Sequence, residues 1–364
     1  MNENSIMVAY GNNPLEMTEA LLHEIKPEQG LKPGAKIGLK PNLVVGKPAS
    51  AGATTHPEIA AAVIRYFQAR GYDNLCIMEG SWLGEETARA FRASGFQELA
   101  DKYRIPLLDL KADRTVERQS GDLTLKVCAS ALSVDYLINL PVLKAHCQTK
   151  LTCALKNLKG CIPDGEKRRY HGMGLHKPIA HLAAVLPTHL TIVDGICGDL
   201  TFEEGGNPVP LEMILAGRDP VLIDAYAAAR IGLDVRDVPY ILLAGGLGVG
   251  TADLEKAAVT ELNPEAKNGV MPQVSQRVRR LAAQIDERGA CSACYGSLIH
   301  ALHRLDEEGR RPGIKGGKIM IGQGFRGMAG AGPGIGLCTR GLDSSLPGCP
   351  PTALEVKKYL QTLR

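Results

Sequence analysis

Four cysteines late in the chain have the spacing of a metal site. Cys291 and Cys294 form a C-x-x-C pair in ACSACYGSL, Cys338 follows in GIGLC, and Cys349 lies in LPGCPP. A C-x-x-C turn lets two thiolates grip one centre, and two more from separate loops complete the four ligands that a [4Fe–4S] cluster or a zinc ion takes. Zinc ribbons pair one such knuckle with a second, whereas Cys338 and Cys349 stand too far apart to make one. The spacing therefore favours iron–sulfur and keeps a zinc-binding structural protein as an alternative. Glycines crowd residues 322–336, and small residues let backbone N–H groups approach cluster sulfurs. Helices are predicted to start at Cys294 and just after Cys349, and a helix N-terminus favours the negative charge of a thiolate-ligated centre.

A second constellation is cationic. Residues 137–172 read LINLPVLKAHCQTKLTCALKNLKGCIPDGEKRRYHG. A strand predicted over 135–140 stops at Pro141, and Lys144 and His146 follow it on a turn. Leu151, Leu155 and Leu158 then recur at helical spacing over 150–158, with Lys156 and Asn157 near the far end. In open α/β sheets ligands bind outside the carboxyl ends of strands, so this loop is where an anionic small molecule is expected. Lys144 and His146 would supply binding and acid–base chemistry. The competing reading is a solvated lysine face, with Cys147, Cys153 and Cys161 as small buried hydrophobes.

Positioning these groups requires an α/β framework. A strand over 35–40 brings Lys40 and then Asn42 to its carboxyl end. The next helix is predicted to start at Thr55, with Glu58 three residues on, His56 in its first turn, and Ile59, Val63, Ile64 and Phe67 as its apolar face. A strand over 74–78 delivers Glu79, which closes one βαβ unit. The alternation continues with a helix over 85–103, a strand over 105–110 and a hairpin over 115–127. Beyond the cationic stretch come a helix over 177–186, a strand over 189–193 that ends in Asp194, a loop over 199–210, a strand over 213–216 and a helix capped by Asp219. A further helix is expected over 274–286. The expected fold is α/β, a mixed or mostly parallel sheet with flanking helices over 1–268, joined to a small C-terminal α/β iron–sulfur module over 269–364.

Composition narrows the function. At 364 residues the chain is long for one core, and two domains are the natural expectation. A net charge of only +3 and 4% aromatic residues leave out the basic stripe and stacking platforms of a nucleic-acid binder. The N-terminal MNENSIMVAYG has no basic segment leading into an apolar one, and no apolar run is long enough to span a bilayer, so membrane insertion is not expected and a cytoplasmic location is. Ten cysteines in such a compartment stay thiols, which again points the clustered ones to a metal.

Several blocks together resemble a known family. KPNLV at Lys40, TTHPE at Thr54, LPVLKAH at Leu140, ALKNLKG at Ala154, IVDGI at Ile192 and DPVLIDAYAA at Asp219 are similar, in this order, to the domain-of-unknown-function 362 family. The resemblance covers roughly the first 260 residues and implies an α/β domain often found beside iron–sulfur modules, with no known reaction. Its polar positions fall on Lys40, Asn42, Thr55, His56, Lys144, His146, Lys156, Asn157 and Asp194. The cysteine segments resemble the proximal-cluster ligands of nickel–iron hydrogenase small subunits and their respiratory complex I relatives, which implies a [4Fe–4S] cluster on Cys291, Cys294, Cys338 and Cys349. The intervening sequence here is much shorter than theirs. Two functions follow: a redox or electron-transfer protein that meets a redox partner, or an enzyme on an anionic small molecule with the cluster as electron source or staple. KIMIGQGFRG over 318–327 matches G-x-G-x-x-G, but no helix is predicted after it, so no dinucleotide is expected there.

Overall fold

The computed structural model describes residues 2–201, 205–267, 280–310, 312–313 and 317–363. These form two compact units, residues 1–167 with 176–273, and residues 168–175 with 274–364. The second therefore takes in a short internal segment that a linear boundary at 268 does not.

The first unit is built on eight strands: β1 (Ser5–Tyr10), β2 (Ile37–Pro41), β3 (Leu75–Glu79), β4 (Leu107–Asp109), β7 (Tyr136–Leu140), β10 (Leu190–Asp199), β11 (Pro208–Gly217) and β12 (Ala258–Glu261), with β5, β6, β8 and β9 forming the two hairpins below. Their order across the sheet is β12-β1-β11-β10-β7-β2-β3-β4. All neighbours run parallel except β11, which is antiparallel to both β1 and β10. The fold is thus α/β with a mixed, mostly parallel sheet. Every residue of β2, β3 and β7 is buried, as strands covered on both faces must be. Helix Pro57–Gln68 buries Ile59, Val63, Ile64 and Phe67 against them. At the far edge β1 pairs with β12, and Tyr10 and Asn263 exchange hydrogen bonds between backbone and side chain.

Several local expectations are corrected. Thr55 does not cap the helix: His56 is the N-cap residue, and the Thr55 hydroxyl donates to Leu140 O at 2.7 Å. The stretch expected as helix from 150 begins as a strand, because β8 (Lys144–His146) and β9 (Lys150–Thr152) close a hairpin in which Lys150 takes φ +62°. Only Ala154–Asn157 is α-helical, followed by a 3-10 turn. The helix over 85–103 breaks into Thr87–Ala93 and Phe96–Tyr103 at Gly95, whose φ of +78° is left-handed. The hairpin over 115–127 is β5 (Thr115–Ser120) with β6 (Leu123–Cys128). The loop over 199–210 is shorter than expected, since β10 and β11 run on to Asp199 and from Pro208.

The second unit has four parallel strands in simple order, β13 (Ile285–Glu287), β14 (Ile319–Ile321), β15 (Gly330–Ile335) and β16 (Leu342–Leu346). Helices Ser292–Glu307 and Ala353–Thr362 pack on each other and bury Leu298, Ile299, Leu302, Val356 and Leu360. Of the helix expected over 274–286, residues 274–279 lie outside the described residues, 280–282 are helical, and the end, from Ile285, is strand. The G-x-G-x-x-G segment runs from β14 into a 3-10 turn at Gln323–Phe325 and then to β15, with no helix.

Candidate functional site

The chain leaves β2 for β3 and β4 on one side of the sheet, and leaves β7 for β10 on the other. The seam between β2 and β7 is therefore the topological switch point, the place in an open α/β sheet where a crevice opens at the carboxyl ends. Thr55 staples this seam. Its hydroxyl bonds the last carbonyl of β7, its oxygen accepts from Asn42 N at 2.8 Å, and its N–H donates to Asn42 O at 3.0 Å. Asn42 thus sits beside the entry to helix Pro57–Gln68.

His56, at that entry, meets Asp194 of β10. Its Nδ1 lies 2.8 Å from Asp194 Oδ2, and the same oxygen accepts His56 N at 2.7 Å. Asp194 Oδ1 takes Ile196 N at 3.1 Å. The carboxylate is fully buried, while the His56 side chain keeps 16% of its surface exposed. Burial opposes charge on His56, but the hydrogen bond and negative charge of Asp194 outweigh it and raise the imidazole above its ordinary 6.5.

Lys144 is buried, and its ammonium donates to Ala53 O at 2.6 Å and Asn42 Oδ1 at 3.2 Å. His146 is buried in the β8–β9 hairpin, where its Nδ1 accepts Gln148 N and Thr149 N, so the ring organises the turn. Lys40 and Glu79 close on each other at 2.8 Å, both buried, and Glu79 also accepts Leu43 N and Gly80 N. A Cβ at Gly160 would overlap the Glu79 carboxylate, so glycine is what lets the chain pass over this pair. Asn157 Nδ2 donates to Lys40 O and Asn139 Oδ1, and Lys156 Nζ donates to Thr152 Oγ1. The ten polar positions thus divide: Asn42, Thr55, His56, Lys144 and Asp194 form one connected cluster at the seam, while Lys40, Glu79, Asn157, Lys156 and His146 bind neighbouring backbone and side chains.

Two residues outside the sequence-based selection belong to the same framework. Lys167 donates to Gly80 O, Ser81 O and Asp164, and burial pulls its ammonium down from the usual lysine value against the attraction of Asp164 and Glu79. Asp224 is fully buried and accepts Ala154 N at 2.6 Å and Leu155 N at 3.1 Å; burial pushes its carboxyl up to about 7. Its signal was present as a carboxylate inside the apolar face of VLIDAYAA, where a charge needs a partner.

In the second unit, Cys291 is the N-cap residue of helix Ser292–Glu307 and Cys294 lies in its first turn. Cys338 sits in a 3-10 turn and Cys349 on the loop after β16. The thiols lie within electrostatic reach of one another. Burial pushes Cys294 up to about 12, and the charges of Cys291, Cys349 and Cys338 add to it; Cys291 is raised by burial, with Cys338 and Cys349 adding to it and a hydrogen bond from Gln323 opposing. Arg326 Nε donates to Cys338 Sγ at 3.4 Å and attracts Cys291 and Cys349. Gly336 approaches so closely that a Cβ there would lie 3.4 Å from Cys294 Sγ. Among the described residues no three His, Cys, Asp or Glu side chains close into a tight metal-binding group.

The family model described as "Domain of unknown function (DUF362)" matches residues 37–229. A thylakoid-associated protein of Synechocystis is 27% identical over 236 residues, 62% of this chain and 72% of that protein. Two solved structures share parts of the fold: a Thermotoga maritima protein (TM-score 0.40, 13% identity, 65% of this chain and 60% of that one) and the lactate racemase apoprotein of Thermoanaerobacterium thermosaccharolyticum (TM-score 0.39, 12% identity, 60% and 55%). The chain thus spans somewhat over half the length of these two structures. Among the described residues no helix is long and apolar enough to cross a membrane.

Proposed function

Because this chain belongs to the DUF362 family, whose name records no reaction, its function must be argued from its own chemistry, and we propose that it is an iron–sulfur protein with a redox or electron-transfer role. What supports the reading is that four thiols from three separated segments, Cys291 with Cys294, Cys338, and Cys349, have the spacing of a ligand set and lie near enough to feel one another's charge. These four would hold a [4Fe–4S] cluster, which exchanges single electrons when bound. Cys291 and Cys294 come from the start of a helix, whose free N–H groups offset the charge of four thiolates. Arg326 would donate to a ligand sulfur and Gly336 leaves room for backbone approach, two ways in which a protein tunes a cluster. Cys349 is exposed, so one edge of the centre would face a redox partner protein in solvent.

The deciding experiment is metal and sulfide analysis of anaerobically purified protein, with electron paramagnetic resonance after reduction. Stoichiometric iron and labile sulfide, lost in Cys294→Ser, are expected. Stoichiometric zinc without sulfide would make the same thiols a structural zinc site and remove the redox role.

A further inference from the structure

The first unit holds a set of groups that the cluster does not use. Helix Pro57–Gln68 begins at the switch point, and two side-chain nitrogens there have no hydrogen-bond partner among the described residues. One is the outer nitrogen of His56. Its Nδ1 is committed to Asp194, a carboxylate that only accepts, so Nδ1 carries a proton and Nε2 is the nitrogen that can gain or lose one. The other is the amide of Asn42. Lys144 can only donate, which fixes Asn42 Oδ1 toward it and turns Nδ2 away. Asn42 is 94% buried, and its backbone pairs with Thr55, the residue before His56. The Asn42 amide is not one of the enclosed polar atoms that lack a partner, so solvent or a ligand can reach its Nδ2.

We propose that this strand-end site takes a small oxyanion, a carboxylate or a tetrahedral anion, on the imidazole of His56 and the amide of Asn42, and that it takes up a proton as the anion binds. The chemistry follows from the tautomer. Neutral His56 would present a lone pair on Nε2 and repel an oxyanion; protonated, it presents an N–H donor with half the imidazolium charge already countered by Asp194. The balance is simple: one proton passes from solvent to Nε2, the anion enters, and no bond to carbon, phosphorus or sulfur changes. Among the described residues, the charged groups that act on the ring are Asp194 from β10 and Glu58 from its own helix. Glu58 is exposed and opposes the anion only through solvent. The first turn of the twelve-residue helix adds its N-terminal dipole. Asp194 is a positioning residue: it holds the ring and the charge and touches no ligand. This reading is independent of the cluster.

The test is a histidine NMR titration of the whole anaerobically purified protein, with the His56 resonance identified by its loss in His56→Gln. Sodium acetate and sodium sulfate are the probes, and sodium chloride holds ionic strength constant. At an anion concentration ten times its dissociation constant, the His56 midpoint should rise by about one pH unit. A rise with acetate alone marks a carboxylate site, and one with sulfate alone a tetrahedral-anion site. Asn42→Ala should keep the anion-free midpoint and lose most of the rise; an undiminished rise overturns the site as drawn, as does no rise with either anion in the parent. Should Asn42→Ala fail to fold, calorimetry of the parent in two buffers of different ionisation enthalpy, above the His56 midpoint, gives the proton uptake directly. About one proton per anion is expected. No uptake overturns the proposal.

Discussion

Asp224 is a carboxylate placed where the fold wants an acid. It faces the first turn of Ala154–Asn157 from helix Pro220–Arg230, and its two backbone hydrogen bonds do not fully offset the loss of water. With its carboxyl raised from 3.8 to about 7, the folded state binds the proton more tightly than the unfolded chain. The contribution is therefore complete below about pH 4 and is lost as pH rises through about 7, amounting to a few kcal/mol. The urea midpoint of the first unit should fall between about pH 5 and about pH 8, and Asp224→Asn should flatten that fall. An unchanged slope in the variant would assign the pH dependence to other groups. The side chains whose places were legible in the sequence are those at predicted strand ends, such as Lys40, Glu79 and Asp194, because a strand fixes where its last residue lies. Pairing was not legible. Glu79 and Asp194 stand at strand ends where they could neutralise nearby lysines, but nothing local indicates which cation each takes: Glu79 takes Lys40, thirty-nine residues away, and Asp194 takes His56.

At the scale of elements, periodicity identified the buried strands β2, β3 and β7 and the helices Pro57–Gln68, Pro220–Arg230 and Ser292–Glu307, since each needs only one apolar pattern. It failed where tertiary partners compete for the same group. The Thr55 hydroxyl, a fair helix cap by sequence, is taken by a strand carbonyl, and Lys150 to Thr152, apolar at helical spacing, pairs with β8 instead. Strand β1 and helix Pro14–Ile25 carried no expectation, although Asn13 as cap and Pro14 in the first turn are a recognised start signal. The thiol-bearing loops depend on a different local feature. Gly336 holds φ +89° directly before the turn that carries Cys338, a backbone conformation that a side chain would strain, and a methyl group there would touch Cys294. Gly336→Ala should destabilise the second unit by about 1–2 kcal/mol and reduce bound iron, read by denaturant melts and metal analysis. Unaltered iron would show that the loop tolerates a side chain and that close approach is not needed.

As a whole molecule, the protein joins a large unit that has an extensive apolar core to a small one with short strands and glycine-rich turns. Small cores of this kind gain much of their folding free energy from a metal. Chelation under anaerobic conditions should therefore expose residues 289–364 to protease before the first unit is cut, and Cys349→Ser should do the same without chelator. Equal resistance in parent and variant would mean that the small unit folds on its packing alone. The far edge of the large unit bears on how the chain acquires its shape during synthesis. Strand β1 finds its neighbours only in β11 and β12, and the Tyr10–Asn263 exchange spans 253 residues. At ordinary elongation rates, roughly 10 to 50 s pass between the two ends of that contact. A largely apolar strand made before either of its partners waits unpaired for that interval, which leaves its edges open to wrong pairing while the chain is being synthesised.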